Sequence, residues 1–317
     1  MATLRAIQNR IKSTGNIKQI TKAMEAVSAV KMRKSEQTAL SARPFAISGL
    51  EILRHLLSAP TINHESFFSP PLMKKYKTGP RCFIIIASDK GLAGSFNSNV
   101  LKKTLSTIKE KNFNPEEIEF ITIGKKSTDA VRRKGLNIIK SFSGAGDYTS
   151  IEETAEIVNF IQDGFKGGNW RSVRIIYTNF LSALKQEVLV RKILPFHTHT
   201  FEEIIREIIP QKGRYANVPN TISDKEIVNT DYIFEPDTKE IIENLLPELL
   251  AVEIYHTILE ANASEHSSRM IAMKSASDSA GELIDTLTIK FNNARQAAIT
   301  KELIEITAGK EALNNAN

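Results

Sequence analysis

The sequence predicts an α/β protein: two long terminal helices lie antiparallel against each other, and a mainly parallel sheet fills the chain between them. Three observations predict it. From Met1 to Arg43 there is no proline and one glycine, Gly15; from Glu248 to Ala308 there is again no proline and one glycine, Gly281. Between these stretches, short β-branched apolar runs alternate with helical patterns. A helix rises about 1.5 Å per residue, so the C-terminal stretch alone would reach on the order of 90 Å. Two such rods at opposite ends of one chain hide their apolar stripes most simply by pairing antiparallel, a shape that suggests a mechanical or scaffolding role.

At 317 residues the chain has room for two domains, and 41% hydrophobic with 25% charged residues suits a water-soluble surface. No apolar run approaches the roughly 20 residues of a membrane span. The start, MATLRAIQNRIK, mixes charges with apolar residues and lacks a signal peptide's apolar core, so it is expected to be mature protein. One cysteine, Cys82, excludes an internal disulfide and fits a reducing compartment. Residues 1–43 hold nine Lys and Arg against Glu25 and Glu36, a net of +7 beside +6 for the whole chain. Such a face is either solvated or meets an acidic partner.

In the first rod, Ile17, Ile20, Met24 and Val27 step by three, four and three, the seam spacing of a coiled coil, and Leu4, Ile7 and Ile11 extend the stripe. Pro44 is expected to interrupt it, with a second helical piece from Phe45 to Leu57. Residues 58–80 carry four prolines (Pro60, Pro70, Pro71, Pro80) and read as a linker or surface excursion. Cys82 to Ala87 is a buried-strand run, followed by the turn SDKGLAGSFN and a helix over Asn99 to Lys111. Strands are then expected over Ile118–Ile123, Leu136–Ile139 and Val173–Tyr177, with helices over Lys125–Lys134 and Ile151–Phe165. That alternation implies right-handed crossovers and a parallel sheet covered on both faces. Glu187 to Ile193 alternates as an edge strand, and 196–235 reads as irregular. The second rod opens on Asp237 and Glu240, spaced as in a capping box, and Pro247 is expected to kink or restart it. Its seam is Met273, Ala276, Ala280, Leu283, Leu287, Phe291, Ala294 and Ala298. The domain limits that follow are a helix over 1–58, a linker over 59–80, an α/β domain over 81–235 and a helix over 236–317.

No constellation carries chemistry. The turn SDKGLAGSFN has Gly91 and Gly94 where a dinucleotide loop needs three spaced glycines. GKKS at Gly124 to Ser127 lacks the phosphate loop's earlier glycine, since Glu119 stands there, and its hydroxyl after the first lysine, since Lys126 stands there. His197 and His199 would share a strand face, but no cysteine and no second close histidine pair joins them as metal ligands. Ser88 and Asp89 adjoin a strand end without a histidine at a recognisable spacing. No catalytic residue, cofactor or metal is therefore expected.

Three segments are distinctive: ITKAMEAVSAVKMRK at Ile20 to Lys34, SDKGLAGSFNSNVL at Ser88 to Leu101, and SEHSSRMIAMKSASDSAGELID with ARQAAITKELIEI between Ser264 and Ile306. Together they resemble the gamma subunit of F-type ATP synthases, in that family's order and near its usual length. The resemblance implies a left-handed antiparallel coiled coil of the terminal helices plus a Rossmann-like central domain that binds no nucleotide. It implies a non-catalytic central-stalk rotor, one copy per complex, inside a ring of three alpha and three beta subunits. It also implies contact with the epsilon subunit and the membrane c-ring, with no nucleic acid, and membrane association only indirect. The expected place is the cytoplasmic face of a bacterial inner membrane. By position, Met24 in KAMEAV, Arg269 in SRMIAM, and Arg295, Gln296 and Thr300 in ARQAAIT match family positions that contact beta. For Met24, Thr300, Arg295 and Gln296, plain helix packing is the competing reading. The cysteine-bearing redox insert of chloroplast members is absent, so thiol control is not expected.

Two other classes stay open on residues alone. A basic helix joined to a heptad seam superficially fits a basic-zipper DNA binder, although apolar Ile7, Ile17 and Met24 interleave with its cations. A doubly wound enzyme with helical ends that dimerise it is the other, marked by nucleotide binding to the isolated chain.

Overall fold

The computed structural model describes residues 4–58, 70–146, 150–196, 235 and 238–314. In chain order the elements are α1 (Leu4–Ser58), β1 (Arg81–Ile86), α2 (Phe96–Glu110), β2 (Ile118–Ile123), α3 (Lys125–Arg133), β3 (Ile138–Phe142), α4 (Ile151–Lys166), β4 (Ser172–Ser182), β5 (Lys185–Leu194) and α5 (Thr238–Asn314). The chain divides into two compact units, Met1–Ser28 with Met270–Asn317, and Ala29–Arg269.

The first unit is a pair of helical segments from the two ends of the chain. Lys18 stands beside Gly281, its Nζ 3.1 Å from where a β-carbon on that glycine would lie. Counted antiparallel from that pair, Leu4 at the start of α1 falls near Arg295, and residues 301–309 of α5 are all exposed because no partner is left to cover them. Ser28 and Met270, where both segments enter the unit, fall together by the same count.

The seam of α1 differs from the expected one. Ile17, Ile20 and Val27 are 53, 59 and 53% exposed, Met24 is half-buried, and within residues 4–28 the buried positions are Thr14, Thr21 and Ser28. Their hydroxyls donate to Arg10, Ile17 and Met24 carbonyls at 2.8, 2.9 and 2.7 Å, so they bury no unsatisfied group. On this stretch of α1 small side chains face inward and bulky Ile17, Ile20 and Val27 are turned outward. In α5, Met273, Ala280 and Leu287 are buried as expected and Ala276, Phe291, Ala294 and Ala298 half-buried. Leu283 is 42% exposed, and Ile284 turns inward in its place.

The second unit is built on a five-stranded sheet of order β3-β2-β1-β4-β5. β1 pairs parallel with β2 and β4, β2 parallel with β3, and β5 runs antiparallel to β4 at the edge. Alternation along β1 sends Phe83 and Ile85 to one face and Cys82, Ile84 and Ile86 to the other. The first face packs against Val100 and Ile108 of α2 and Val131 of α3. The second is covered by Ile157, Ile161 and Phe165 of α4 and by Ile242, Leu246, Leu250, Ile254 and Ile258 of α5, a stripe stepping by four.

Several expected boundaries move. Pro44 lies inside α1, which continues to Ser58: one proline removes one helical bond while its fixed φ remains helical. Pro247 lies inside α5, and its carbonyl accepts from Gln162 Nε2 at 3.1 Å. α2 begins three residues before Asn99. β3 begins at Ile138, because Asn137 and Leu136 close the turn from α3: Leu136 N–H donates to Val131 at 3.4 Å, and Asn137 carbonyl accepts from Phe120 at 2.8 Å. Pro70 to Pro80 is integrated rather than a free linker, with Leu72 2% exposed and its carbonyl accepting from Phe196 at 2.9 Å. Residues 59–69, 197–234 and Asp237 lie outside the described residues, and with them His197, His199 and half of the expected capping box.

Candidate functional site

Ligands of a doubly wound sheet bind beyond the C-terminal ends of its strands, where the order reverses, here between β1 and β4. The loop that leaves β1 is tied down first. Ser88 N–H donates to Asn97 Oδ1 at 3.0 Å, and its buried hydroxyl lies 2.6 Å from the Lys90 carbonyl. The carboxylate of Asp89 accepts the backbone N–H of Lys125, first residue of α3, and that of Gly144 after β3, both at 2.9 Å. A side-chain carboxylate thus occupies the helix N-terminus that would otherwise attract phosphate. Ser127 of GKKS is buried and its hydroxyl donates back to Ile123 and Gly124 carbonyls at 2.9 and 2.7 Å. Gly124, at φ 96°, leaves no room for a side chain, since a β-carbon there would sit 2.0 Å from the Ala87 carbonyl oxygen.

The crevice itself is filled by α5. Asn262 Nδ2 donates to the Gly146 carbonyl at 2.9 Å, beyond β3. Ser264 Oγ donates to Thr178 of β4 at 3.0 Å, and Ser267 Oγ to Ala183 in the β4–β5 turn at 2.5 Å. Arg269 Nε donates to the Gly91 carbonyl at 3.3 Å, its Nη2 to Lys90 at 3.4 Å, and Glu265 accepts from the same Nη2 at 2.5 Å. The carbonyls of Lys90, Gly91, Gly146, Thr178 and Ala183 around the crevice are therefore bonded within the chain, while the buried Thr178 hydroxyl has no hydrogen bond. Among the described residues no group of three or more His, Cys, Asp and Glu is placed to hold a metal. A cavity of about 370 Å³ lies between Thr38, Ser41, Ser150, Ile151, Glu152, Val252 and Tyr255. Three of its hydroxyls are bonded to backbone: Thr38 and Ser41 donate to carbonyls and Ser150 accepts from the Glu153 N–H.

A second polar cluster sits where α5 covers β4 and β5. Arg191 donates to the Tyr177 hydroxyl at 2.7 Å and lies 3.8 Å from Glu253 Oε1, while His256 Nδ1 lies 3.7 Å from Glu260. Both Glu253 oxygens are buried without a hydrogen bond. Burial pushes the Glu253 carboxyl up to about 7, with Arg191 opposing. Burial and, after it, Glu260 raise the Tyr177 phenol above its usual value. Burial likewise raises the Cys82 thiol, which has no reactive character.

The expected contact residues are not gathered into one patch. Met24 is half-buried on α1, whereas Arg295, Gln296 and Thr300 are exposed on α5, the Thr300 hydroxyl donating to the Gln296 carbonyl at 3.0 Å. By the antiparallel count Met24 faces residue 275, roughly 30 Å along α5 from Arg295. Arg269 is 7% exposed and committed to the β1 loop. The roles of Ser264, Ser267 and Asn262 escape reading from sequence; the spacing of polar residues through NASEHSSR, on a helix whose neighbours are apolar, is the signal that marks them.

With this geometry in view, the comparisons with known proteins agree. The model of the family described as ATP synthase matches residues 3–313. The ATP synthase gamma chain of Pelotomaculum thermopropionicum is 36% identical over 314 residues, covering 99% of this chain and all of that one. That of Salinibacter ruber is 32% identical over 325 residues, covering both chains fully. Among solved structures, a Euglena gracilis mitochondrial ATP synthase (OSCP/F1/c-ring, rotational state 3) aligns at TM-score 0.62 and 15% identity, over 98% of this chain and 94% of that one. A Tetrahymena thermophila mitochondrial ATP synthase (central stalk/c-ring) aligns at 0.55 and 22%, over 81% and 99%. At those identities the likeness is one of fold, while the curated relatives extend over the whole length. The chain belongs to the gamma-chain family of F-type ATP synthases.

Proposed function

We propose that this chain is the non-catalytic central-stalk rotor of an F-type ATP synthase: it transmits rotation of a membrane c-ring to catalytic beta subunits and so couples ion flow to ATP synthesis or hydrolysis. The observation that carries the reading is the first unit, an antiparallel helix pair whose inward face on α1 is small and polar while Ile17, Ile20, Val27, Ile289, Ile299 and Leu303 stand exposed on the outside. Exposed apolar residues in such number on a soluble surface fit a sheath of partner chains. The filled crevice supports a subunit that leaves nucleotide chemistry to a neighbour. Three alpha and three beta subunits, epsilon and the c-ring are the partners, with one copy of this chain per complex. No described helix is long and apolar enough to cross a membrane, which fits association through that ring, on the cytoplasmic face of a bacterial inner membrane.

Met24, Arg295, Gln296 and Thr300 make the coupling contacts with beta, and Arg269 contributes through the Lys90–Gly91 loop that it holds. The segments Met1–Ser28 and Met270–Asn317 serve as the shaft, and Ala29–Arg269 as the body toward the membrane. Native mass spectrometry of the complex released from membranes tests this. One copy of this chain with three alpha and three beta subunits is the expected composition. A clean monomer at low ionic strength, or ATP binding to the isolated chain, would overturn the reading.

A further inference from the structure

The cavity of about 370 Å³ between α1, the start of α4 and α5 plays no part in the rotor reading. Its size suits a small molecule, since ligand sites begin at about 300 Å³. Part of its wall is apolar. Val252 is buried, whereas Ile151 at the first position of α4 is 40% exposed and belongs to neither core cluster.

The class of ligand follows from where the protons go. Thr38 donates its hydroxyl to the Lys34 carbonyl at 3.0 Å, and Ser41 donates to the Thr38 carbonyl at 2.8 Å. Ser150 Oγ accepts the Glu153 N–H at 3.4 Å and gives its own proton to the Glu152 carboxylate. These three hydroxyls have lone pairs left to offer and no proton. Glu152 adds a negative charge, and among the described residues it pairs with no Lys, Arg or His. The Ser150 hydroxyl, then the backbone N–H of Glu152 itself, hold that carboxyl below its usual value, so it is ionised at neutral pH. Tyr255 lies close enough to register the charge: burial, then Glu152, raises its phenol.

We propose that this cavity binds a small primary ammonium carried on an apolar chain or ring. Glu152 is the counter-ion, Thr38, Ser41 and Ser150 accept from the N–H groups, and Val252, Ile151 and Tyr255 line the apolar body. An anion or a neutral acceptor would meet lone pairs and a carboxylate, and is rejected. A quaternary ammonium brings charge without N–H donors and leaves the hydroxyls unused. A divalent metal ion finds one carboxylate where it needs several oxygen ligands. One exposed carboxylate contributes little in water, so the apolar body supplies much of the affinity. The site does not depend on the rotor reading.

The test uses the full chain with phenethylamine as the probe. Calorimetric titration at neutral pH is expected to saturate at one site, with a Kd of about a millimolar or tighter. Phenethyl alcohol and phenylpropionate keep the ring without the cation and should not bind. Ethylamine, which lacks the ring, and the trimethylated probe, which lacks the N–H groups, should both bind more weakly. Glu152→Gln should weaken phenethylamine about tenfold, with Glu152→Asp between it and the parent. Glu116→Gln, at an exposed carboxylate before β2, should change nothing. Glu152 is exposed, so Glu152→Gln should melt with the parent, and the probe series on the parent needs no variant. The proposal is overturned if phenethylamine does not saturate, if the alcohol or the trimethylated probe binds as tightly, or if Glu152→Gln binds like the parent.

Discussion

The carboxylate of Asp89 bridges two backbone N–H groups, Lys125 at the start of α3 and Gly144 after β3, each at 2.9 Å. It joins the ends of three strands, since Asp89 follows β1 while α3 follows β2. Replacing it with alanine removes a helix N-terminal acceptor and leaves two donors short. A loss of about 1–2 kcal/mol is expected in urea unfolding of the full chain. Asp89→Asn should lose less, because an amide oxygen still accepts one of the two bonds. Equal stability of Asp89→Ala and the parent would show the bridge to be incidental.

Gly164 in α4 lies against Trp170, where a β-carbon would stand 2.3 Å from the ring's Cη2. In an open helix, glycine to alanine gains up to about 1 kcal/mol. Here the added methyl must displace a ring that is 2% exposed and bonded to Glu119, so Gly164→Ala is expected to destabilise by roughly 1–3 kcal/mol. A stabilised variant would mean that the indole moves freely.

Gly281 supplies the contrast within the helix pair. Its nearest neighbour is the flexible tip of Lys18 at 3.1 Å, which can swing aside. Gly281→Ala should therefore be neutral or raise stability by up to about 1 kcal/mol, read as a shift in melting temperature. A drop in melting temperature would place rigid atoms at that spot.

Glu253 links stability to pH. Its folded pKa of about 7 lies above the ordinary 4.5, so the contribution of the protonated form is fully present below about pH 4.5 and is lost as pH rises through 7. Arg191, Tyr177, His256 and Glu260 face it and share the response. Glu253→Gln should flatten the unfolding free energy between pH 5 and 7, where the parent falls by on the order of 3 kcal/mol. An unchanged slope would assign that pH dependence to other groups.

Met24→Lys adds a charge to a half-buried position on an already cationic helix. On the rotor reading, the variant complex should hydrolyse ATP with fewer ions pumped per ATP, measured in inverted vesicles by quenching of a gradient-sensitive dye. Unchanged pumping per ATP would remove Met24 from the coupling contacts.

The order of strands and helices was legible from local pattern, because a β-branched run such as Cys82 to Ala87 and a helical spacing such as that over Ile151 to Phe165 carry their own signals. The pairing of the two chain ends was legible as well, since long proline-free rods leave apolar stripes that need partners. Which face of α1 turns inward was not: periodicity marks Ile17, Ile20 and Val27 as the seam, but burial falls on Thr14, Thr21 and Ser28, whose hydroxyls are satisfied within their own helix. Asp89 and Arg269 read as candidates for chemistry or contact until the fold brings Lys125 and Gly91 beside them. The like-charged pair Arg174 and Lys192, eighteen positions apart, exists only through the register of β4 and β5. Sequence by itself determines which segments are helix or strand and which of them must find cover, because those properties are local. Tertiary structure decides which side chains meet, because a rotation of a helix by one position or a shift of one residue in register exchanges every contact without altering the pattern.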